Sequence, residues 1–268
     1  MVYAYMTLSA ALIVVVDRFH PIFRNVNGIW IVPLLFIAFM VGFILLHAIV
    51  FIGSLILINP DKPVKCEKYY KGLAKVTLPL VAWLLRMKIK VSGEELLPDN
   101  RRFVIVANHT SILDPVILMA AFPQCEFAFL AKEETRKMPV VPQFIASQGG
   151  AFVDRENTRS GAKSLIKMIN LLKDDKASVG IFPEGTRSKT GELLPFKPGA
   201  VRAAAKAGVP FTVCTIKGAA KVFKRFPLKS TKIKLDILKT FSAEEVTNGD
   251  KDTLENTARE IMLESLGQ

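Results

Sequence analysis

From Gly28 to Asn59 the chain carries no charged residue, and this run limits what can be built around it. If helical, Leu34 to Ile56 alone would be about 34 Å long, enough to cross a hydrocarbon layer. A soluble domain in a chain of 268 residues rarely needs an apolar helix of that length. The expectation is one transmembrane helix over about residues 30–58. A second apolar stretch, Val2 to Val16, would be about 22 Å long as a helix, short for a full crossing, so it is read as half of a helical hairpin or a segment lying in the interface. No Lys or Arg precedes it and no small-residue cleavage site follows, which argues against a cleaved signal peptide.

The net charge of +12 gains meaning from its placement. Lys62, Lys65, Lys68, Lys71 and Lys75 come directly after the apolar run. By the positive-inside rule that side faces the cytoplasm, where lysines are also drawn to anionic headgroups. No nucleic-acid motif and no aromatic-interleaved basic strand is present, so a nucleic-acid partner is not expected. Cys66, Cys125 and Cys214 have no C-x-x-C spacing, which argues against a disulfide framework or a zinc site; no metal is expected.

Asn59-Pro60-Asp61-Lys62-Pro63 ends the apolar run. Val64 to Arg86 reads as helical, with Tyr69, Tyr70, Leu73, Val76, Leu80, Trp83 and Leu84 among the lysines. Pro79 is expected to kink or divide it, giving a pair of interfacial helices; packing on the globular domain is the other option for such a face. From Lys88 strands and helices alternate. Lys88–Val91, Arg102–Ala107, Glu126–Leu130, Ala151–Val153, Ser178–Phe182, Phe211–Lys217 and Lys232–Leu238 read as strands, and Pro115–Ala121, Pro139–Ser147, Arg159–Lys173, Gly199–Ala207 and Thr253–Leu266 as helices. This order predicts an α/β fold with a mixed, largely parallel sheet flanked by helices, whose ligands gather where strands end.

Three motifs fall at such ends. In Asn108-His109-Thr110-Ser111-Ile112-Leu113-Asp114 the apolar strand Phe103–Ala107 displays His109 at its end. A carboxylate at Asp114 can accept one imidazole N–H, fix the tautomer and leave the other nitrogen as a base. Asp114 before Pro115 is also what an ordinary helix start requires. Ser111 is an alternative, as a covalent nucleophile, although serines in such turns commonly make local hydrogen bonds. In Phe182-Pro183-Glu184-Gly185-Thr186-Arg187-Ser188, Gly185 permits a tight turn, backbone N–H and hydroxyl groups can surround an anion, and Arg187 can bind phosphate oxygens through two parallel bonds. Ala151-Phe152-Val153-Asp154-Arg155 delivers a second guanidinium, and Lys132 a third cation. Each also has a plain alternative as half of a surface ion pair: Arg187 with Glu184, Lys132 with Glu133, Arg155 with Glu156.

The ordered motifs Asn-His-x-x-x-x-Asp, Phe-Val-Asp-Arg and Phe-Pro-Glu-Gly-Thr-Arg-Ser, followed by a strand opening at Val209-Pro210, resemble the 1-acylglycerol-3-phosphate acyltransferase (lysophosphatidate acyltransferase) family of glycerolipid acyltransferases. The resemblance covers about Lys88 to Lys217, with Val64 to Arg86 similar to the family's interfacial helices. Phe196-Lys197-Pro198-Gly199 is also similar to the family's pattern. Thr135 departs from it, standing where an apolar residue is usual.

The resemblance implies that His109 is the general base and Asp114 its orienter. It implies that Lys132, Arg155, Glu184, Gly185, Thr186 and Arg187 serve the glycerol phosphate, with no cofactor beyond the acyl donor. The organisation it implies is a membrane anchor over residues 1–60, interfacial helices over 61–87 and an acyltransferase domain over 88–268 with its motif core at about 100–220. The implied partners are the lipid bilayer, lysophosphatidate, and acyl-CoA or acyl carrier protein; the implied location is the cell membrane, facing the cytoplasm. The competing readings are an acceptor other than lysophosphatidate (glycerol 3-phosphate or another lysophospholipid), a non-catalytic protein binding anionic lipid, and a hydrolase.

Overall fold

A computed structural model describes residues 28–99, 102–154 and 158–268; the apolar stretch Val2–Val16 and Arg155 lie outside them. The chain divides into two units, one ending at Gly53 and the other spanning Ser54–Gln268. The first is occupied by most of helix α1, Gly28–Ile56. Its segment Pro33–Ile56, 24 residues with an 18-residue stretch of mean hydropathy 2.8, is long and apolar enough to cross a membrane. Pro33 lies inside the helix, beyond its first turn, and removes one intrahelical bond there.

In the second unit the segment read as two interfacial helices is a single helix, α2, Glu67–Leu84, with Pro79 inside it. Proline removes one intrahelical bond and crowds the preceding turn, at roughly 3 kcal/mol. Packing offsets that cost: Ala74, Thr77, Leu78 and Ala82 are buried on one stripe against α3, Asp114–Ala121. Lys71 is also buried, its Nζ donating to the Lys176 carbonyl at 2.6 Å. The opposite face leaves Tyr69, Val76 and Trp83 exposed.

Seven strands form one sheet: β1 Met87–Ser92, β2 Val104–Ala107, β3 Phe127–Lys132, β4 Ala151–Val153, β5 Ser178–Ile181, β6 Phe211–Lys217 and β7 Thr231–Phe241. Their order is β1-β7-β6-β2-β5-β3-β4. β6, β2, β5, β3 and β4 run parallel. β7 reverses against β6, and β1 follows β7. The sheet is therefore mixed and largely parallel, as the alternation of elements predicts. The C-terminal ends of the five parallel strands share one edge with the starts of β7 and β1.

Helices cover both faces, which is why the central strands are buried at nearly every position rather than at alternate ones. In β2 and its lead-in, Phe103 and Ile105 join the cluster beneath α2 and α3. Val104 and Val106 face the other way, toward Met168 of α5 (Thr158–Lys173), Val201 of α6 (Ala200–Ala207) and Met262 of α9 (Lys251–Leu266). α4 (Val141–Ser147) leads into β4, and α7 (Val222–Arg225) and α8 (Ala243–Asn248) flank β7. Gly180 marks the closest approach within the sheet, since a Cβ there would run into the Phe129 ring of β3.

Candidate active site

His109 leaves the end of β2, in the middle of the sheet. Asp114 is fully buried, and its Oδ2 lies 2.8 Å from His109 Nδ1. The same oxygen accepts the backbone N–H groups of Thr110 at 2.8 Å and Ser111 at 2.7 Å. The helix-start alternative is thereby resolved. Asp114 is the first residue of α3, and its carboxylate reaches back into the preceding turn instead of forward along the helix. It organises the loop that carries the histidine. Nδ1–H donation to a carboxylate fixes the tautomer with Nε2 as the unprotonated nitrogen, and among the described residues Nε2 has no hydrogen-bond partner. Ser111 is buried and its Oγ accepts from Leu113 N at 3.2 Å, a local turn bond.

Four further contacts hold the histidine loop. The His109 N–H donates to Glu184 Oε1 at 2.6 Å, and the His109 carbonyl accepts from Ser188 N at 2.8 Å. The Phe182 ring stacks on the imidazole, with centroids 4.3 Å apart and planes inclined by 21°. Phe182 is backed in turn by Phe129 at 5.9 Å, the ring that Gly180 accommodates. Just before the histidine, Asn108 is buried and bridges to β6: its Nδ2 donates to the Ile216 carbonyl at 3.1 Å and its Oδ1 accepts from Ile216 N at 2.7 Å. Phe182 and Asn108 are functional neighbours that the motif reading did not single out. A signal for Asn108 existed, since a polar residue closing an apolar strand must find partners once buried.

Glu184 is only 3% exposed. Its second oxygen accepts from Leu194 N at 3.0 Å, so both oxygens are engaged by the protein's own backbone. Burial raises this carboxyl above its ordinary range, opposed by the N–H groups of Leu194 and His109. The loop that follows turns at Gly185, φ +71°, a conformation that favours glycine. A Cβ at Gly185 would come within 3.0 Å of Lys197 Cδ, so the lysine stem lies across the loop. Thr186 and Arg187 are exposed. Among the described residues Arg187 has no ion-pair partner, and the expected alternative of a pair with Glu184 is not formed.

Lys132 ends β3, on the far side of β5 from His109. It is half exposed and pairs with Glu134 at 2.6 Å, a local ion pair with a partner different from the Glu133 expected. Glu133 instead meets Arg136 at 2.5 Å. The histidine and glutamate loops are thus brought into direct contact, whereas the cations share a sheet edge without being tied to that cluster. Neither Cys214 nor Cys125 is an activated thiol: burial pushes both up, Cys125 to about 11.

Residues 88–217 match the acyltransferase family model. A 1-acyl-sn-glycerol-3-phosphate acyltransferase of Borreliella burgdorferi is 32% identical over 151 residues, 56% of this chain and 60% of that protein. A protein of the same name from Saccharomyces cerevisiae is 31% identical over 188 residues, 68% of this chain and 61% of the other. The chain thus spans about three fifths of the length of these curated relatives. The crystal structure of the 1-acyl-sn-glycerophosphate acyltransferase PlsC from Thermotoga maritima superposes with a TM-score of 0.60 at 27% identity, covering 89% of this chain and 91% of that one. The matched segment contains every side chain placed around His109, so the site lies wholly within the acyltransferase-like domain of this chain.

Proposed function

We propose that the protein transfers a fatty acyl group from an acyl thioester, acyl-CoA or acyl carrier protein, to the sn-2 hydroxyl of 1-acylglycerol 3-phosphate. The product is phosphatidic acid, and the reaction belongs to phospholipid biosynthesis. The observation that carries this reading is the His109–Asp114 pair at the sheet edge, with Nδ1 occupied and Nε2 available. Nε2 takes the proton from the lipid hydroxyl as the oxygen attacks the thioester carbonyl. The new C–O bond forms, the C–S bond breaks, and the proton on His109 passes to the departing thiolate. A thioester is already activated, so alignment and proton transfer are the main requirements and no acyl-enzyme is needed.

Asp114 acts on this step as orienter and stabilises the imidazolium in between. Glu184 acts as a positioning residue, because its carboxylate holds the main chain of His109 itself. Arg187, exposed beside the glutamate turn, meets the acceptor phosphate, with Gly185 and Thr186 shaping the loop and Lys132 and Arg155 as further cations for the same group. The charge-free helix α1 anchors the enzyme in the membrane where both lipids reside, and Lys62, Lys65 and Lys68 support a cytoplasmic orientation.

The test is acceptor-dependent thiol release in detergent. Purified protein with acyl thioester should release thiol only when lysophosphatidate is added, and His109→Ala should abolish it. Release without any acceptor would make the protein a hydrolase instead. Preference for glycerol 3-phosphate or for a lysophospholipid with another head group would move the assignment within the family.

A further inference from the structure

Between β6 and β7 the chain makes an excursion over residues 218–230 that carries Lys221, Lys224, Arg225 and Lys229 and no acidic residue. Its inner side is anchored: Ala219 and Val222 are buried in the same cluster as Ile216 and Ile233. Its outer side is apolar. Phe223 is 58% exposed, Phe226 42% and Leu228 85%, on a segment whose inward anchors are Ala219 and Val222 and whose cations are exposed beside them. The backbone is closed by Phe226 N to Val222 O at 2.9 Å and Lys229 N to Arg225 O at 2.9 Å, so these side chains project from ordered structure.

The topology places this excursion at the reactive edge. β6 runs parallel to β2 and ends beside it, while β7 starts where β6 ends. The excursion therefore leaves the sheet on the side where His109 is displayed. It also adjoins the end of α2, because Met87 of β1 is paired with Thr231 of β7 and Thr231 N donates to the Arg86 carbonyl at 3.0 Å. Trp83 and Leu84, exposed at that end of α2, share the edge with the excursion.

We propose that residues 218–230 form a membrane contact additional to helix α1. Phe223, Phe226 and Leu228 enter the boundary between headgroups and acyl chains, and Lys224, Arg225 and Lys229 lie against anionic phosphates. Protruding apolar side chains flanked by cations suit a fluid bilayer, which closes around them without a complementary groove. An acidic protein would be met by the cations alone and leave Leu228 in water. Tryptophan beside such a site is the residue enriched at membrane interfaces. The contact would bring the lipid surface to the histidine's edge of the sheet. This inference goes beyond the acyl-transfer reading and does not rest on it.

The experiment uses the full chain reconstituted into phosphatidylglycerol–phosphatidylethanolamine vesicles. Leu228→Cys in a Cys66→Ser/Cys125→Ser background, with Cys214 buried and unreactive, is labelled with an environment-sensitive fluorophore. Glu244→Cys, exposed on α8 at the opposite sheet edge, is the control. The label at position 228 should shift to the blue and be quenched by lipids brominated near the headgroup several-fold more than the label at 244. Lys224→Glu/Arg225→Glu should reduce that quenching, and pure phosphatidylcholine vesicles should do the same. A label at 228 as water-like as the control, or one shielded only when acyl carrier protein is added in detergent, would overturn the proposal. Quenching unaffected by the charge reversal would overturn its electrostatic half. His109→Ala in the labelled background should keep the quenching whether or not acyl transfer is the reaction.

Discussion

The histidine loop and the cation-bearing positions lie along one sheet edge and are built in opposite ways. Around His109 nearly every polar group is committed: Nδ1 to Asp114, the N–H to Glu184, the carbonyl to Ser188, and one ring face to Phe182. Arg187 is exposed and unpaired among the described residues, and Lys132 has only a half-exposed partner. Proton transfer depends on a base held within tenths of an ångström, so its support is preformed. A phosphate can be met by long side chains that settle on arrival. The difference implies that substitutions in the first group alter kcat and those in the second alter acceptor KM.

The largest expected effect is at the base. His109→Ala should lower kcat by about 10²- to 10⁴-fold, the usual worth of general-base catalysis, with vesicle association intact. Asp114→Asn should come close to it, because an amide oxygen in place of Oδ2 can still accept the three bonds but carries no negative charge to stabilise the imidazolium. Steady-state kinetics checks both, and full activity in His109→Ala would end the comparison.

Glu184→Gln comes next and is the sharper test. An amide must present an N–H to one of two donors, His109 N or Leu194 N, leaving a buried mismatch of about 2 kcal/mol. The expected loss is on the order of 30-fold in kcat, accompanied by a lower thermal midpoint. A change confined to acceptor KM would move Glu184 from the positioning group to the phosphate side.

The uneven legibility of the sequence has the same physical origin. Strands β2, β5 and β6 are buried along nearly their whole length because they are covered on both faces, so apolar-rich runs without alternation reveal them. His109 and Asp114 are close in sequence, and their pairing needs only a turn. The reversal of β7 is different, since a strand's direction leaves no trace in its own residues and the excursion before it fits either sense. Pro79 misleads because local propensity gives way to the packing of Ala74, Leu78 and Ala82. Glu184 is read from its motif as facing substrate, whereas its partners are main-chain groups of His109 and Leu194, 75 and 10 residues away. No residue type announces a main-chain partner at that distance.

Arg187→Ala should raise the KM for lysophosphatidate by about tenfold, the low end for a charge-assisted bond made by an exposed side chain, with kcat nearly unchanged. Lys132→Ala should change either constant by no more than about threefold, in line with a surface pair worth under about 1 kcal/mol. The two measured side by side decide whether the cations act as one cluster. Equal effects would show that Lys132 leaves Glu134 for the substrate.

The smallest effect is a slope of stability with pH. Burial raises the Glu184 carboxyl above its unfolded value near 4.5, so the folded state keeps a proton that the unfolded chain has already lost. A group raised in this way gives its contribution fully below the unfolded value and loses it as pH rises through the folded one. Glu255 is raised in the same direction, chiefly by burial, and must be removed first. In a Glu255→Gln background the thermal midpoint in detergent should therefore fall as pH increases upward from about 4.5, and adding Glu184→Gln should flatten that fall. The histidine loop would then be held by a carboxylate that costs folding energy when ionised, which is the opposite of what an exposed cation such as Arg187 does. An unchanged slope would mean that the two N–H donors compensate the buried charge in full, and that the loop carries no such penalty.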